Sequence, residues 1–173
     1  MASRPVAQRS AIADLEAARS EWAASFQQVP DEALAYLKPG DDYSLGGLQT
    51  HVNWVLLHYR RVLEGIIAGR FGALGPQDGP GEADAAGHKA RSGMTPQERR
   101  VALDEMARLH SAVVVAAAKL GEDDWARKAP VTYGAGQDPY PTSPEDIVGW
   151  LRDHYREHVQ QSADLVAEWR AGS

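Results

Sequence analysis

The sequence predicts an all-α fold, a four-helix bundle with long crossover loops. Four segments repeat apolar residues at intervals of three and four, which is the period of an amphipathic helix. No segment shows the alternation of apolar and polar residues, rich in β-branched side chains, that is typical of strands. We expect residues 1–173 to form a single domain, because a chain of this length buries enough surface to fold without disulfides or a structural metal.

The first two helices are predicted from their apolar stripes. The first extends over about residues 6–28 and stops before Pro30, which has no backbone N–H to donate. The second extends over about residues 45–68 and begins after Ser44, whose hydroxyl can cap the helix. Apolar side chains at helical spacing mark the inward faces: Ile12, Leu15, Trp22 and Phe26 in the first helix, and Leu48, Val55, Val62 and Ile66 in the second.

The segment between residues 69 and 93 is rich in glycine, proline and aspartate. It shows neither a helical nor a strand period, and it contains few large apolar side chains. Because such a composition buries little surface, we predict a long, mobile connection here.

The last two helices are predicted from the signals at their starts. The third begins at residues 95–98, Thr-Pro-Gln-Glu, where a cap, a proline and a capping-box glutamate follow in the preferred order, and it ends at Gly121. A short amphipathic turn is predicted around residues 123–127. The fourth helix begins at residues 143–146, Ser-Pro-Glu-Asp, and continues to about Arg170.

Composition excludes several classes of function. The chain has 24 acidic and 18 basic residues and no run of Lys or Arg longer than a pair, so we predict no nucleic-acid binding. Its apolar runs are far shorter than the ~20 residues that span a bilayer, and its N-terminus lacks a signal-peptide apolar region. We therefore predict a cytoplasmic protein without a membrane segment. The absence of cysteine excludes disulfides, a protein thiolate nucleophile and thiolate metal ligands.

The fourth predicted helix carries two histidines, His154 and His158, on its core-facing stripe. At a spacing of four residues their rings lie about 40° apart around the axis and about 6 Å apart along it, so both can reach one ion. Burying two adjacent imidazoles without a shared partner is unfavourable. The pair therefore favours metal ligation over two independent core histidines.

The second predicted helix offers a third imidazole. His51 lies on the same inward face as Leu48 and Val55, and His58 lies on nearly the same face two turns later. Because the two histidines are about 10 Å apart along the axis, only one can join the site, and spacing does not decide which. Three neutral imidazoles leave at least one position of a divalent ion open, which is typical of a catalytic site and not of a structural one.

Two motifs make the chain resemble the DinB-like superfamily of metal-binding four-helix bundles, which includes the bacillithiol and mycothiol S-transferases and mycothiol-dependent maleylpyruvate isomerase. They are residues 44–51, Ser-Leu-Gly-Gly-Leu-Gln-Thr-His, and residues 154–158, His-Tyr-Arg-Glu-His. The resemblance implies His51, His154 and His158 as the metal ligands. A Glu stands at the position of His154 in the maleylpyruvate isomerase pattern, so the all-histidine set is more similar to the bacillithiol transferase branch.

The resemblance also implies an activity. It predicts a metal-dependent S-transferase that uses one divalent ion (Zn, Ni or Fe), a low-molecular-weight thiol as cosubstrate and an electrophilic small-molecule substrate. Two other functions would use the same histidines, namely a non-catalytic stress-response bundle that binds metal or a ligand, and a metal-dependent hydrolase. The sequence leaves the oligomeric state open, and a homodimer is among the states it allows.

Four aromatic residues are candidates for the wall of a pocket at the metal site. Trp54 lies about one turn after the ligand in the second helix, and Trp150 lies one turn before the pair in the fourth. Both can equally fill the core. Tyr133 and Tyr140 lie in a predicted loop over residues 129–142, from which they could cap the pocket mouth.

The remaining histidines are predicted to be non-ligands. We expect His58 to be a core or rim residue, His88 to lie in a loop and His110 to form a polar edge of the third helix. Asp153 and Glu157 flank the histidine pair and could accept hydrogen bonds from its rings. We predict instead that both are ordinary solvated helix residues.

Overall fold

Four long helices form the body of the protein, and the predicted all-α fold is confirmed. The computed structural model describes residues 6–172. The observed helices begin and end close to the predicted positions, and a short helix occupies the predicted amphipathic turn. In chain order, the elements are α1 (Val6–Gln27), a 3-10 turn (Asp31–Ala33), α2 (Leu45–Ala68), α3 (Glu82–Arg91), α4 (Pro96–Ala118), α5 (Glu122–Trp125), β1 (Ala129–Val131), β2 (Tyr140–Thr142) and α6 (Pro144–Ala171).

The apolar stripes of the long helices meet in one core. α1 packs along α6, and α2 packs against both α4 and α6. Full burial of each large apolar side chain contributes about 1.5–3 kcal/mol, so the stripes are the main source of stability. Within residues 6–172, no helix has an apolar stretch long enough to cross a membrane. The predicted stripe residues of α1 and α2 that are buried are Ile12, Leu15, Trp22, Phe26, Leu48, Val62 and Ile66, whereas Val55 is half-buried.

The predicted caps are present at the helix starts. At α4, the Glu98 amide donates to Thr95 Oγ1 over 3.2 Å, and the Thr95 amide donates to Glu98 Oε2 over 2.7 Å. At α6, Ser143 and Asp146 exchange the same two bonds over 3.1 and 2.8 Å. These capping boxes satisfy amide groups that a helix leaves unpaired at its start. They also fix where α6 begins, and hence the rotational position of the histidines further along it.

The segment over residues 69–93, which we call the crossover segment, contains a helix. The prediction of a connection without regular structure is therefore wrong, and His88 lies in α3 and not in a loop. Gly81, with a φ of 77°, precedes this helix. The first turn carries Glu82 and Asp84, whose negative charges interact favourably with the positive end of the helix dipole. Ala90 is the one buried residue of α3, so the sequence has no apolar stripe that would reveal the helix.

The crossover segment docks closely on the start of α2. The Ser44 amide donates to the Ala90 carbonyl over 3.0 Å, and the Ser44 hydroxyl donates to the Ser92 carbonyl over 2.8 Å. A Cβ atom on Gly47 would lie 1.6 Å from the Ala90 carbonyl oxygen, which is far inside contact distance. Glycine is therefore required at position 47 for this approach of two backbones.

A small hairpin replaces part of the loop predicted over residues 129–142. β1 and β2 are antiparallel, with Pro130 opposite Pro141 at their centre. The Leu74 amide of the crossover segment donates to the Pro130 carbonyl over 2.9 Å, and the Thr132 amide donates to the Leu74 carbonyl over 2.8 Å. Strands of three residues with a proline in each carry no alternating pattern, which is why the sequence did not predict them.

Candidate metal centre

Three histidine rings converge between α2 and α6. His51 lies near the start of α2, and His154 and His158 lie one turn apart in the middle of α6. The Nε2 atom of His154 is 3.0 Å from Nε2 of His51 and 3.0 Å from Nε2 of His158. The three candidate ligand atoms all lie within 4.8 Å of one another. The structure thus brings together the three residues that the sequence analysis selected.

Two of the three distances between these nitrogens match the spacing of neighbouring ligands around a metal ion. Nitrogen ligands about 2.0–2.1 Å from a zinc-sized ion, at angles between 90° and the tetrahedral value, are about 2.8–3.4 Å apart. The two observed separations of 3.0 Å fall within that range. The triad of His51, His154 and His158 could therefore hold one divalent ion.

Gln161 fixes the tautomer of one of the three rings. Its Oε1 atom lies 2.7 Å from Nδ1 of His158 and can only accept, so this Nδ1 carries the proton. The Nε2 atom of His158 then presents a lone pair toward His154. In the neutral cluster at most one of the two 3.0 Å contacts can be a linear N–H···N hydrogen bond, whereas a cation would satisfy all three nitrogens at once.

Burial keeps the triad in its neutral, ligating form. Burial, with a smaller effect from the neighbouring imidazoles, lowers the pKa of His51 to about 4 and that of His154 to about 3. Burial also lowers the pKa of His158, although the hydrogen bond to Gln161 acts in the opposite direction. All three lone pairs are therefore free of protons near neutral pH.

Two aromatic rings border the triad. Tyr43, just before the cap of α2, stacks on His51 with ring centroids 4.4 Å apart and an angle of 19° between the planes. Trp22 of α1 is fully buried and meets His158 edge-on at 6.1 Å. These contacts restrict ring rotation on both sides of the site, so the imidazoles are held in place by packing as well as by the helices that carry them.

The family comparison agrees with this geometry. The sequence profile of the DinB superfamily matches residues 14–162, a span that takes in all of α2 and α4 and most of α1 and α6. The chain belongs to the DinB superfamily. No curated protein matches the sequence significantly.

In this DinB protein, three of the predicted pocket aromatics lie together at one end of the α2–α6 face. The Trp150 ring is 5.6 Å from that of Tyr59 and 6.3 Å from that of Tyr140. The Tyr133 hydroxyl is 2.9 Å from Thr142 Oγ1 in β2. We call Tyr59, Tyr133, Tyr140 and Trp150 the aromatic cluster. Burial raises the pKa of Tyr133 to about 12, so its hydroxyl remains protonated.

Trp54 lies elsewhere. Its side chain lines a separate cavity of about 430 Å³ between α2, α3 and α4, and none of the three triad histidines lines that cavity. Trp54 follows His51 by three residues, which turns it by about 60° around the helix axis toward α4. This rotation separates the tryptophan from the side of α2 that faces α6.

Two further histidines have partners of their own. His58 is half-buried, and its Nδ1 donates to Asp78 Oδ2 over 2.5 Å; Asp78 also accepts from Arg61 over 3.2 Å. His110 is buried, with Nδ1 3.1 Å from the Tyr155 hydroxyl, so the prediction that it forms a polar edge of the helix is wrong. Burial lowers the pKa of His110 to about 4. Neither residue belongs to the triad.

Gln161 and Tyr43 were not predicted from the sequence. Gln161 follows His158 by three residues on α6, so a search for amide or carboxylate partners one turn from a ligand could have found it. Tyr43 precedes the helix in a segment without any period, and no sequence signal indicates its stacking. Asp153 and Glu157, which were predicted to be solvated, are exposed.

Proposed function

We propose that this DinB protein is a metal-dependent S-transferase that joins a low-molecular-weight thiol to an electrophilic small molecule. The observation that carries the proposal is the convergence of three neutral imidazole nitrogens without a carboxylate or thiolate among them. Neutral ligands leave the charge of a divalent ion uncompensated, and three of them leave coordination positions open. Zn, Ni and Fe(II) suit an all-imidazole site. When bound, such an ion supplies Lewis acidity that lowers the pKa of a coordinated thiol or water.

The protein itself would position the cation and cover part of the site. His51, His154 and His158 would hold the cation, and Gln161 would keep the His158 lone pair directed at it. Tyr43 covers one face of His51. The aromatic cluster includes Trp150, one turn before His154 on α6, and its apolar rings suit the body of an electrophile.

The chain contains no cysteine, so the sulfur must come from a cosubstrate. In the proposed reaction the thiol loses its proton to solvent, and its sulfur forms a bond to the electrophilic carbon. The leaving group departs with the electron pair of the bond that breaks, or, where the electrophile is an activated double bond, the neighbouring carbon takes up a proton instead.

The test is thiol consumption by the reconstituted protein. We would load it separately with Zn, Ni and anaerobic Fe(II) and then mix it with a thiol (bacillithiol, mycothiol, glutathione or cysteine) and 1-chloro-2,4-dinitrobenzene or monochlorobimane. Metal-dependent conjugation that is absent in His154→Ala supports the proposal. Product formed equally well without thiol would indicate a hydrolase. Metal binding without turnover of any combination would indicate a binding protein, and either result overturns the transferase assignment.

A further inference from the structure

A well-defined cavity lies outside the metal centre, and nothing in the proposed reaction uses it. It has a volume of about 430 Å³, within the range of 300–1,000 Å³ that is typical of small-molecule sites. Its walls come from one side of α2, from α3 with the residues that follow it, and from the first half of α4. We call it the crossover cavity.

Fixed contacts join the elements that form the walls of the crossover cavity. The close approach of Gly47 to the Ala90 carbonyl and the hydrogen bond from Ser44 to Ser92 attach the crossover segment to α2. On the other side, Asn53 Nδ2 donates to the Ala102 carbonyl over 2.9 Å and so joins α2 to α4. The cavity therefore exists before any ligand arrives, which reduces the entropic cost of binding.

The lining combines apolar surface with a few amide and hydroxyl groups. Trp54, Leu57, Met94 and Val101 are the large apolar side chains, and none of these four is fully buried. Their surface in the cavity is open to solvent, so a ligand that covers it gains hydrophobic free energy. The Thr50 hydroxyl and the Gln97 amide in the lining offer hydrogen bonds to a polar group on that ligand, whereas both ends of the Asn53 amide are already bonded within the protein.

The charges at the cavity select against anions. Lys89, Glu98 and Glu105 line it, which gives one positive and two negative groups. The Glu98 carboxylate accepts from the Thr95 amide and is further stabilised by the nearby Lys89 charge. Lys89 is thus compensated, and Glu105 leaves the site with a net negative charge that would repel an anionic ligand.

From these observations we infer that the crossover cavity binds an uncharged aromatic small molecule carrying a hydrogen-bonding group, at a site separate from the metal centre. Trp54 stacks on its ring system, and Thr50 or Gln97 bonds its polar group.

A matched pair of fluorescent probes tests this inference. N-phenyl-1-naphthylamine is uncharged, and 8-anilino-1-naphthalenesulfonate has the same ring system with an added anionic group. We expect the full-length protein to bind the first probe saturably at one site and the sulfonate at least about tenfold more weakly. Glu105→Gln should narrow that difference. Absence of saturable binding of the uncharged probe, or equal affinity for both probes, would overturn the inference.

Substitutions in the cavity lining test where the probe binds. Ala102→Leu on α4 and Ala86→Leu on α3 each place a larger side chain in the cavity and should weaken binding of N-phenyl-1-naphthylamine about tenfold or more. Ala107→Leu, on an exposed position of α4, is the matched control. Two cavity variants from different helices guard against one that fails to fold, which circular dichroism would show. Unchanged binding in a folded cavity variant, or loss of binding in metal-free His154→Ala, would place the probe elsewhere.

Discussion

His51 and His58 stand on nearly the same face of one helix, two turns apart, and they have different surroundings. His51 meets two other imidazoles and a stacked tyrosine. His58 meets the carboxylate of Asp78, which Arg61 also binds. The first environment leaves lone pairs directed at a common point, whereas in the second the histidine is hydrogen-bonded to a carboxylate.

The difference shows that the role of a histidine on α2 is decided by the element that packs against it. α6 brings two more imidazoles to His51, whereas the crossover segment brings an aspartate to His58. Both residues are histidines, and both lie on nearly the same face of α2. Each of the following predictions tests one side of this comparison, beginning with the largest effect.

Substitution of the two histidines should have different effects on metal content. We expect about one ion per chain in the reconstituted protein and in His58→Ala, and none in His51→Ala, because loss of even an indirect partner of a ligand weakens binding about 10–100-fold and loss of a ligand weakens it more. Plasma emission spectrometry after dialysis measures this directly. Retention of the ion in the His51 variant together with its loss from the His58 variant would reverse our choice of ligand.

The metal-free protein should lose stability on acidification. An unfolded histidine titrates near its ordinary pKa of 6.5, whereas His51 and His154 in the folded protein titrate near 4 and 3. Between these values the unfolded chain binds more protons, so the free energy of unfolding falls as the pH drops from about 6.5 to 4, by on the order of a few kcal/mol. Buried His110 adds to the effect.

Urea denaturation of the metal-free protein at several pH values would show this slope, and His154→Leu should flatten it. A free energy of unfolding that stays constant between pH 7 and 4.5 would contradict the neutral, buried state of these rings.

Gln161→Met should weaken metal binding about tenfold while leaving the fold intact, because His158 then loses the acceptor that fixes its tautomer. Competition with a chromogenic chelator measures the affinity. Gln160→Met is the control, since the Gln160 amide donates to exposed Asp164 and not to a ligand. Equal affinities in the two variants would mean that the tautomer is set in another way.

The smallest effect is expected at the His58 side. Asp78→Asn removes one charge from a pair whose side chains are 18% and 21% exposed, and it should lower the free energy of unfolding by about 1 kcal/mol. Metal affinity should not change. Thermal unfolding compared with Asp104→Asn, an exposed aspartate on α4, provides the check. A large loss of metal in the Asp78 variant would show that the two regions are coupled.

The elements that could be predicted from the sequence are those with a periodic apolar pattern. Long apolar stripes and caps such as Thr95 and Ser143 define α1, α2, α4 and α6, because a helix that buries a continuous face needs these patterns. The spacing of His154 and His158 predicted that both rings can reach one point. Choosing His51 over His58 required the resemblance to the DinB-like motifs, since spacing alone left both open.

The features that could not be predicted depend on a single contact or on a distant neighbour. α3 buries only Ala90, so its ten residues carry no stripe. The strands of the hairpin are three residues long and are stabilised partly by Leu74, which is far away in the chain. The burial of His110 depends on the Tyr155 hydroxyl of another helix. The residues adjacent in sequence do not indicate such distant partners.

The contact of Gly47 with the Ala90 carbonyl also constrains the order of folding. The first turns of α2 reach their final packing only when a segment about forty residues later has arrived, and closing a loop of that length is slow and entropically costly. We therefore expect the end of α2 that carries His51 to become rigid only after the crossover segment has docked. An ion present during refolding would then meet His154 and His158 before it meets the third imidazole.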